Sequence, residues 1–516
     1  MELLKRNIHM DRICARAVTQ FTLEDDMNLP ESKPDVNVLN LEKGDLVIEE
    51  IKPSTDAVTV RGCLVYKILY HTLDGASGLV VVEGRIPFEE KMNLQGASNQ
   101  DNVSVEGVVE DITAGMIHSR KLNIQALVTM SAKVEDLYDE EVPIEIHGDE
   151  QVEYCKKPLN PAQIALCKKD VFRLRQEVSI PANYPNIQQI LWSNVVLGDV
   201  EFKVQEERIV LSGDVQLFVL YESEGEDHSC RTFETMQPFN GVLECPGCRD
   251  GMFPDIRYKI AQQEIAVRPD FDGEERSIGL ELMLEIEMHL YQEERIEVVT
   301  DIYGVSKEIG TTTHKANLRR LLTRVTGKTK VTDRIRVKNG TVLQLWHSEG
   351  NVTLEQKKVV ENGILLQGSI QLKIIFITGR DENPYGCTRA VVPYSYLLEV
   401  PGITTDDLSE VCAEVEQLQV SMLDGEEMDV KAILRFSTVV FQQIPMDIIS
   451  QVNVTELDYI KMSGMPGIVI YMVKSGDNLW NIGKKYYVPV ETLRLLNDLD
   501  GDELKVGQKL LIVKGY

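Results

Sequence analysis

Apolar and polar positions alternate along most of this chain, and one alternating stretch is written three times. The first copy runs from Val58 to Tyr70, the second from Ile209 to Tyr221 and the third from Ile364 to Phe376. Each is aliphatic or β-branched before one glycine (Gly62, Gly213, Gly368) and apolar at alternate positions after it, up to a closing aromatic. A period of two with β-branched enrichment predicts a strand with one buried face. A glycine inside such a strand predicts a bulge or a close backbone approach. The three glycines are expected to do the same job.

The copies keep register beyond the strand. Twenty-five residues after each glycine stands a proline followed by an aromatic: Pro87-Phe88, Pro238-Phe239 and Pro393-Tyr394. Twenty-eight residues before the first two glycines stand Pro34 and Pro185, each with another proline four residues earlier, Pro30 and Pro181. The third copy has Gly340 and Arg336 there instead. The glycines are 151 and 155 residues apart (62 to 213, 213 to 368). Solenoid units are about 20–50 residues, so three tandem domains are predicted. Each copy closes on another strand-like run, Leu122–Met130, Ile278–Ile286 and Met428–Phe436. The expected fold is mainly β, with three sandwich-like domains at 1–150, 151–305 and 306–460. Pro161–Lys169 and Lys315–Leu322 tolerate a helix and are expected to be linkers; Met462–Gly467 is expected to be a hinge.

The pattern changes over 466–516. Ile468–Val473 predicts a strand, and Ser475-Gly476-Asp477 a turn in which Gly476 can take positive φ. Asp477 or Asn478 can cap a following helix. Leu479, Ile482 and Tyr486 share one face of that helix. A second helix from about Val490 is expected to bury Leu493 and Leu496, and Leu510–Val513 to form a second strand. The unit is therefore βααβ.

Charge narrows the partners. The net charge is −28, and 466–516 holds seven Lys/Arg and six Asp/Glu, which leaves −29 for the rest (−28 minus +1). Such a chain repels phosphate backbones and anionic lipid, so neither nucleic acid nor direct membrane insertion is expected. The first residues lack an apolar h-region, no run of eighteen apolar residues occurs, and nine cysteines are scattered. A cytoplasmic location is the expectation.

The triple arrangement resembles the SPOCS (spore coat assembly) domain, over roughly residues 30 to 450. The run from Tyr471 to Tyr486, with Val488–Asn497 and Leu504–Ile512, resembles LysM; Asn478 and Val513 depart from the usual Thr and Pro. Together the chain resembles SipL-like spore coat morphogenesis proteins. The LysM resemblance implies a groove for murein- or chitin-like glycans between two loops, at Ser475, Gly476, Asp477 and Asn478, then Asn497, Asp498 and Leu499. Gly476, Asp477, Leu479 and Trp480 are equally accounted for by the turn, the cap and a small core. The wider resemblance implies a mother-cell protein recruited to the forespore surface by a coat morphogenetic ATPase. The function expected is a scaffold that docks this ATPase through LysM, with other coat proteins as partners. The alternative is a peptidoglycan-binding protein.

No catalytic constellation stands out. Gly327-Lys328-Thr329 lacks the first glycine of a phosphate-binding loop, which would fall at Leu322. Cys245-Pro246-Gly247-Cys248, with His228 and Cys230, offers four soft ligands for zinc. Against that, the other copies have Leu94-Gln95-Gly96-Ala97 and Val400-Pro401-Gly402-Ile403 in the same register, so both cysteines occupy apolar positions of a shared turn. The eight histidines show no metalloprotease spacing, and no nucleophile elbow occurs. Neither an enzyme nor a cofactor is expected.

Overall fold

A computed structural model describes residues 1–72, 78–148, 151–225, 229–337, 341–380, 384–457 and 466–514. His228, Gly340 and residues 462–465 of the expected hinge lie outside them. The first copy contributes β1 (Glu2–Asn28), β2 (Val36–Ser54), β3 (Ala57–Thr72), β4 (Leu79–Asn93), β5 (Val103–His118) and β6 (Lys121–His147). The second contributes β7 (Val152–Leu159), β8 (Ala162–Ser179), β9 (Ile187–Gln205), β10 (Arg208–Ser223), β11 (Cys230–Glu244), β12 (Phe253–Pro269), β13 (Glu275–Glu293) and β14 (Ile296–Gly304). The third contributes β15 (Lys307–Arg336), β16 (Val342–Val360), β17 (Gly363–Thr378), β18 (Tyr385–Glu399), β19 (Leu408–Met422) and β20 (Glu427–Glu456).

Each copy is a sandwich of two antiparallel three-stranded sheets. In the first they are β2-β3-β4 and β1-β6-β5, with Val60, Phe88, Val105, Met130 and Ala132 buried between them. The other copies repeat this order as β9-β10-β11 with β8-β13-β12, and β16-β17-β18 with β15-β20-β19. Alternation predicted this arrangement, because burying every second side chain of facing sheets yields a two-layer core.

The repeated glycines sit in the middle strands β3, β10 and β17, each directly opposite the aromatic of its Pro-aromatic pair: Gly62 faces Phe88, Gly213 faces Phe239 and Gly368 faces Tyr394. On the other side a register shift brings a neighbouring carbonyl close. A Cβ would meet the ring at 2.9 Å on Gly62 and Gly213; on Gly62 and Gly368 it would also run into the carbonyl oxygens of Val47 and Thr353. The glycines are therefore fixed by close approach, not by positive φ.

The copies share further cores. Leu69, Leu220 and Ile375, each seven residues past its glycine, meet in one cluster with Leu41, Trp192 and Phe218. The outer halves of β1/β6 and β15/β20, together with β7/β14, form a stem of three two-stranded ribbons. Ile8, Val142, Leu159, Val298, Leu318 and Ile448 fill its core. Stem and sandwich join at a bulge at Cys14 in the first copy and Leu322 in the third. In the second copy the strand breaks between Leu159 and Ala162, at Pro161, which has no N–H for the ladder.

The two stretches expected to tolerate a helix are strands. Residues 162–169 pair with β13, and 315–321 pair with β20. Local propensity is a weak preference, and these ladders override it. The proline pairs have a specific role: the buried Tyr70 and Tyr221 hydroxyls donate to the Pro34 and Pro185 carbonyls at 2.9 and 3.4 Å. Phe376 stands at the equivalent place in the third copy, which lacks those prolines.

Candidate functional site

The candidate site lies in the last unit: β21 (Ile468–Met472), α1 (Leu479–Tyr486), α2 (Val490–Leu496) and β22 (Lys509–Val513). The strands pair antiparallel, with Ile470 opposite Leu511. Val473, Leu479, Ile482, Val488, Leu493, Leu510 and Ile512 form the core. Leu496 is 39% exposed and does not join it, because the helix ends there.

The first candidate loop is built by its own hydrogen bonds. Gly476 takes φ 88. The Asp477 carboxylate accepts from Lys474 N and Tyr471 Oη, both at 2.8 Å. The Lys474 N–H and the Tyr471 hydroxyl hold this carboxyl below its usual range. Asn478 caps α1, accepting from Asn481 N at 2.7 Å. In the second loop, Asn497 clamps β22: its amide donates to Leu493 O and Leu511 O, and its oxygen accepts from Leu511 N at 2.6 Å. Asp498 turns the chain at φ 49, and Leu499 packs on the core. Of the seven candidates, Asp477, Asn478, Asn497 and Leu499 thus hold the fold. Ser475 and Asp498 are exposed.

Trp480 lies outside this core and reaches another part of the chain. Its Nε1 donates to Asp301 at 2.8 Å, and its ring meets Tyr303 edge-on at 4.9 Å. Lys484 pairs with Asp301 at 2.5 Å, Tyr303 Oη donates to Val488 O at 2.9 Å, and Tyr487 Oη donates to Glu308 at 2.5 Å. Gly483 makes room: a Cβ there would be 2.6 Å from Tyr303 Oη and 2.7 Å from Val488 O. Residues 480, 483 and 484 lie at i, i+3 and i+4, a second face of α1 beside the core face, and Tyr487 follows as its left-handed C-cap. This face docks on the end of the stem. Glu153, opposite Tyr303 on β7, accepts from Val490 N and so serves α2, whose Pro489 supplies no side-chain cap.

The junction is electrostatically paired. Burial, the largest influence on Asp301, raises its carboxyl; the bonds from Lys484 and Trp480 outweigh it and leave it below its usual range. Burial and the Glu308 bond push Tyr487 up to about 12. Sequence reasoning missed Asp301, Tyr303, Glu308 and Glu153. The spacing of Trp480, Gly483, Lys484 and Tyr487 carried the only signal for a second contact face.

On its outer side the unit exposes Ile468 (65%), Ile470 (72%), Met472 (56%) and Leu511 (37%). The first three alternate along β21, so they share the sheet face away from the core.

The soft-ligand cluster is a turn. Cys245 and Cys248 are fully buried, Cys248 N donates to Cys245 O at 3.1 Å, and Gly247 takes φ 89. Gly96 and Gly402 make the same turn at φ 91 and 79. Burial pushes the Cys245 thiol up to about 11, which opposes the thiolate that zinc needs. Among the described residues Glu135, Glu287 and His289 also group like metal ligands, but Lys133 and Lys169 already pair with the two carboxylates at 3.1 and 3.5 Å.

Comparison with known proteins agrees with this division. The family described as "SipL, SPOCS domain" matches residues 35–117, 186–268 and 341–423. These windows take in β2–β5, β9–β12 and β16–β19. The family described as "LysM domain" matches 471–513. The chain is 55% identical over 40 residues to "Probable peptidoglycan endopeptidase LytE" of Bacillus subtilis (strain 168), which is 8% of this chain and 12% of that protein. It is 44% identical over 43 residues to "Uncharacterized protein YkzQ" of the same organism, 8% of this chain and 57% of that protein. The chain thus spans less than two thirds of either relative. No solved structure matches. No helix among the described residues is long and apolar enough to cross a membrane. SPOCS and LysM are binding-type domains rather than catalytic ones, and the former marks the chain as sporulation-related. With three SPOCS domains in tandem followed by a LysM domain, the chain belongs to the SipL-like family.

Proposed function

We propose that this chain is a scaffold of spore coat assembly that docks a coat morphogenetic ATPase at the forespore surface through its LysM domain. The observation that carries this reading is the aliphatic face of Ile468, Ile470, Met472 and Leu511, open on one side while α1 is fixed to the stem on another. An exposed apolar patch rimmed by polar side chains suits a protein partner. Ser475, Asn478 and Asp498 have exposed side chains on the two loops, whereas Gly476, Asp477, Asn497 and Leu499 hold the loops in place. The domains, divided at 1–150, 151–305, 306–460 and 466–516, offer surfaces to other coat proteins. The protein acts in the mother-cell cytoplasm. With a net charge of −28 it needs a protein receptor at an anionic membrane.

The likeness to a peptidoglycan endopeptidase favours a second reading, peptidoglycan binding through the same loops. One pair of assays separates the two. Full-length protein is recovered from sporulating cells and scored for the ATPase, and in parallel is sedimented with purified murein. Ile470→Asp should lower ATPase recovery by about tenfold and Asp498→Ala by a smaller factor, with murein sedimentation at background throughout. Murein binding that Asp498→Ala removes, with ATPase recovery unchanged in both variants, would install the glycan reading instead.

A further inference from the structure

The clefts between neighbouring repeats use equivalent positions, and two of them differ in charge. Twenty-one residues past the glycine the third repeat has Arg389 and the second has Glu234. Arg389 crosses its cleft into the first repeat. It pairs with Glu42 at 2.6 Å and Asp111 at 2.9 Å, and donates to Ile112 O at 2.8 Å. Its guanidinium neutralises the acidic wall it faces.

The cleft between the second and third repeats, a cavity of about 270 Å³, has Glu234 at that position. Glu349 and Glu416 of the third repeat also line it, and among the described residues no lysine or arginine does. Glu416 occupies the same bulge as Glu110, next to the equivalent of Asp111. Its side chain is 10% exposed; Lys328 holds one oxygen, and Oε2 is buried without a partner. His347, with a side chain 8% exposed, stacks on Phe218 at 3.7 Å, and its Nε2, 4.0 Å from Glu349 Oε1, is likewise buried without a hydrogen bond. Two polar atoms without a hydrogen bond, on side chains nine-tenths buried, cost free energy unless something donates to them; Glu349 beside them accepts only a long bond from Trp192 Nε1, at 3.5 Å. The nearest cations, Lys328 and the Lys43 that acts on His347, stand outside the lining.

We propose that this cleft binds a small organic cation, an alkylguanidinium or alkylammonium, whose charge takes the place that Arg389 fills in the neighbouring cleft. The ligand's N–H groups bond Glu416 and Glu349, and Glu234 closes the mouth. Trp346 in the wall offers a ring to the cation.

Calorimetric titration of the full chain tests this. Agmatine and a blocked Gly-Arg-Gly peptide are the probes, with magnesium chloride as the control. At least one organic probe should bind with a Kd below about 1 mM. Tighter binding of agmatine marks a free small molecule, and tighter binding of the peptide marks an arginine from another chain. Glu416→Gln should weaken binding about tenfold or more, and Glu349→Gln serves in its place should the first variant not fold. Glu234→Arg builds the missing guanidinium into the chain. It should abolish agmatine binding and raise the melting temperature by about 2 °C or more. The proposal fails if neither organic probe binds, if magnesium binds as tightly, or if Glu234→Arg lowers the melting temperature.

Discussion

Two kinds of glycine–aromatic pair in this molecule use the same device for different ends. In the repeats, Phe88, Phe239 or Tyr394 lies over a glycine in the same sheet. In the LysM domain, Gly483 opens α1 to the hydroxyl of Tyr303, which belongs to the stem. Both exploit a missing Cβ to let a ring approach backbone. The first pair lies inside one core, so breaking it should cost the fold. The second joins two units with separate cores, so breaking it should cost only their relative placement. A glycine beside an aromatic therefore says that something packs closely; which part of the chain does so depends on the partner strand.

The largest effect should come from Gly368→Ala. Its Cβ would run into the Thr353 carbonyl oxygen as well as the Tyr394 ring, and backbone cannot step aside cheaply. We expect a loss of about 3 kcal/mol or more in urea unfolding. Gly213→Ala should cost less, about 1–2 kcal/mol, because its nearest contacts are 2.9 Å from a ring atom and 3.0 Å from the Gly198 oxygen. The reverse order would mean that the ring, not the carbonyl, decides.

Next comes the junction between repeats, where His347 is buried against Phe218. Burial, with Lys43 adding to it, lowers its imidazole to about 4. The unfolded value is about 6.5, so the fold prefers the neutral ring. Its contribution is complete above pH ~6.5 and falls away as pH drops towards 4, by roughly 3 kcal/mol. Stability measured against pH should show this acid limb, and His347→Phe should flatten it. A limb unchanged by the substitution would place the titration elsewhere.

How much of this was legible in sequence follows from the range of each interaction. The glycine strands, the Pro-aromatic pairs and the capped helix after Gly476 are local or repeated patterns, so they could be read. Residues 162–169 and 315–322 were misread because their partners, on β13 and β20, are more than a hundred residues away. Trp480 was grouped with Gly476, Asp477 and Leu479 as turn, cap or core residues; of these Leu479 is core and Trp480 is not. Nothing near Trp480 names Asp301, which lies 179 residues earlier. The sequence could place the candidates on two loops, but the division between those that hold the fold and those that face outward needed the hydrogen bonds.

The second glycine–aromatic pair gives a smaller effect. Trp480→Ala removes the bond to Asp301 and the edge contact with Tyr303 but leaves the LysM core intact. We expect about 1–2 kcal/mol lost from docking, read as faster hydrogen exchange in α1 and β14 with the LysM core still protected. A loss of about 3–5 kcal/mol with the core unprotected would place the ring in the core instead. Acid should act in the same direction. The Asp301 carboxyl is held below its usual range, so its contribution is present above the ordinary carboxylate value of about 3.9. It is lost as pH falls through the lower folded value.

The smallest effect separates the repeats from one another. Tyr70 and Tyr221 are buried and donate to Pro34 and Pro185 at 2.9 and 3.4 Å. Tyr70→Phe keeps the ring and removes the donor, and should cost about 1 kcal/mol. Tyr221→Phe should cost roughly half of that, because the bond is longer and weaker. Phe376→Tyr tests the converse. The third repeat has Gly340 and Arg336 where the others have prolines, so its sequence supplies no matching proline carbonyl. Phe376 is 1% exposed, and a hydroxyl added at that depth without an acceptor should cost about 1–3 kcal/mol instead of adding stability. Thermal melts of the three variants give the order. A gain in Phe376→Tyr would show that the third repeat keeps the acceptor by another route, and that the prolines are not what the tyrosines are there to meet.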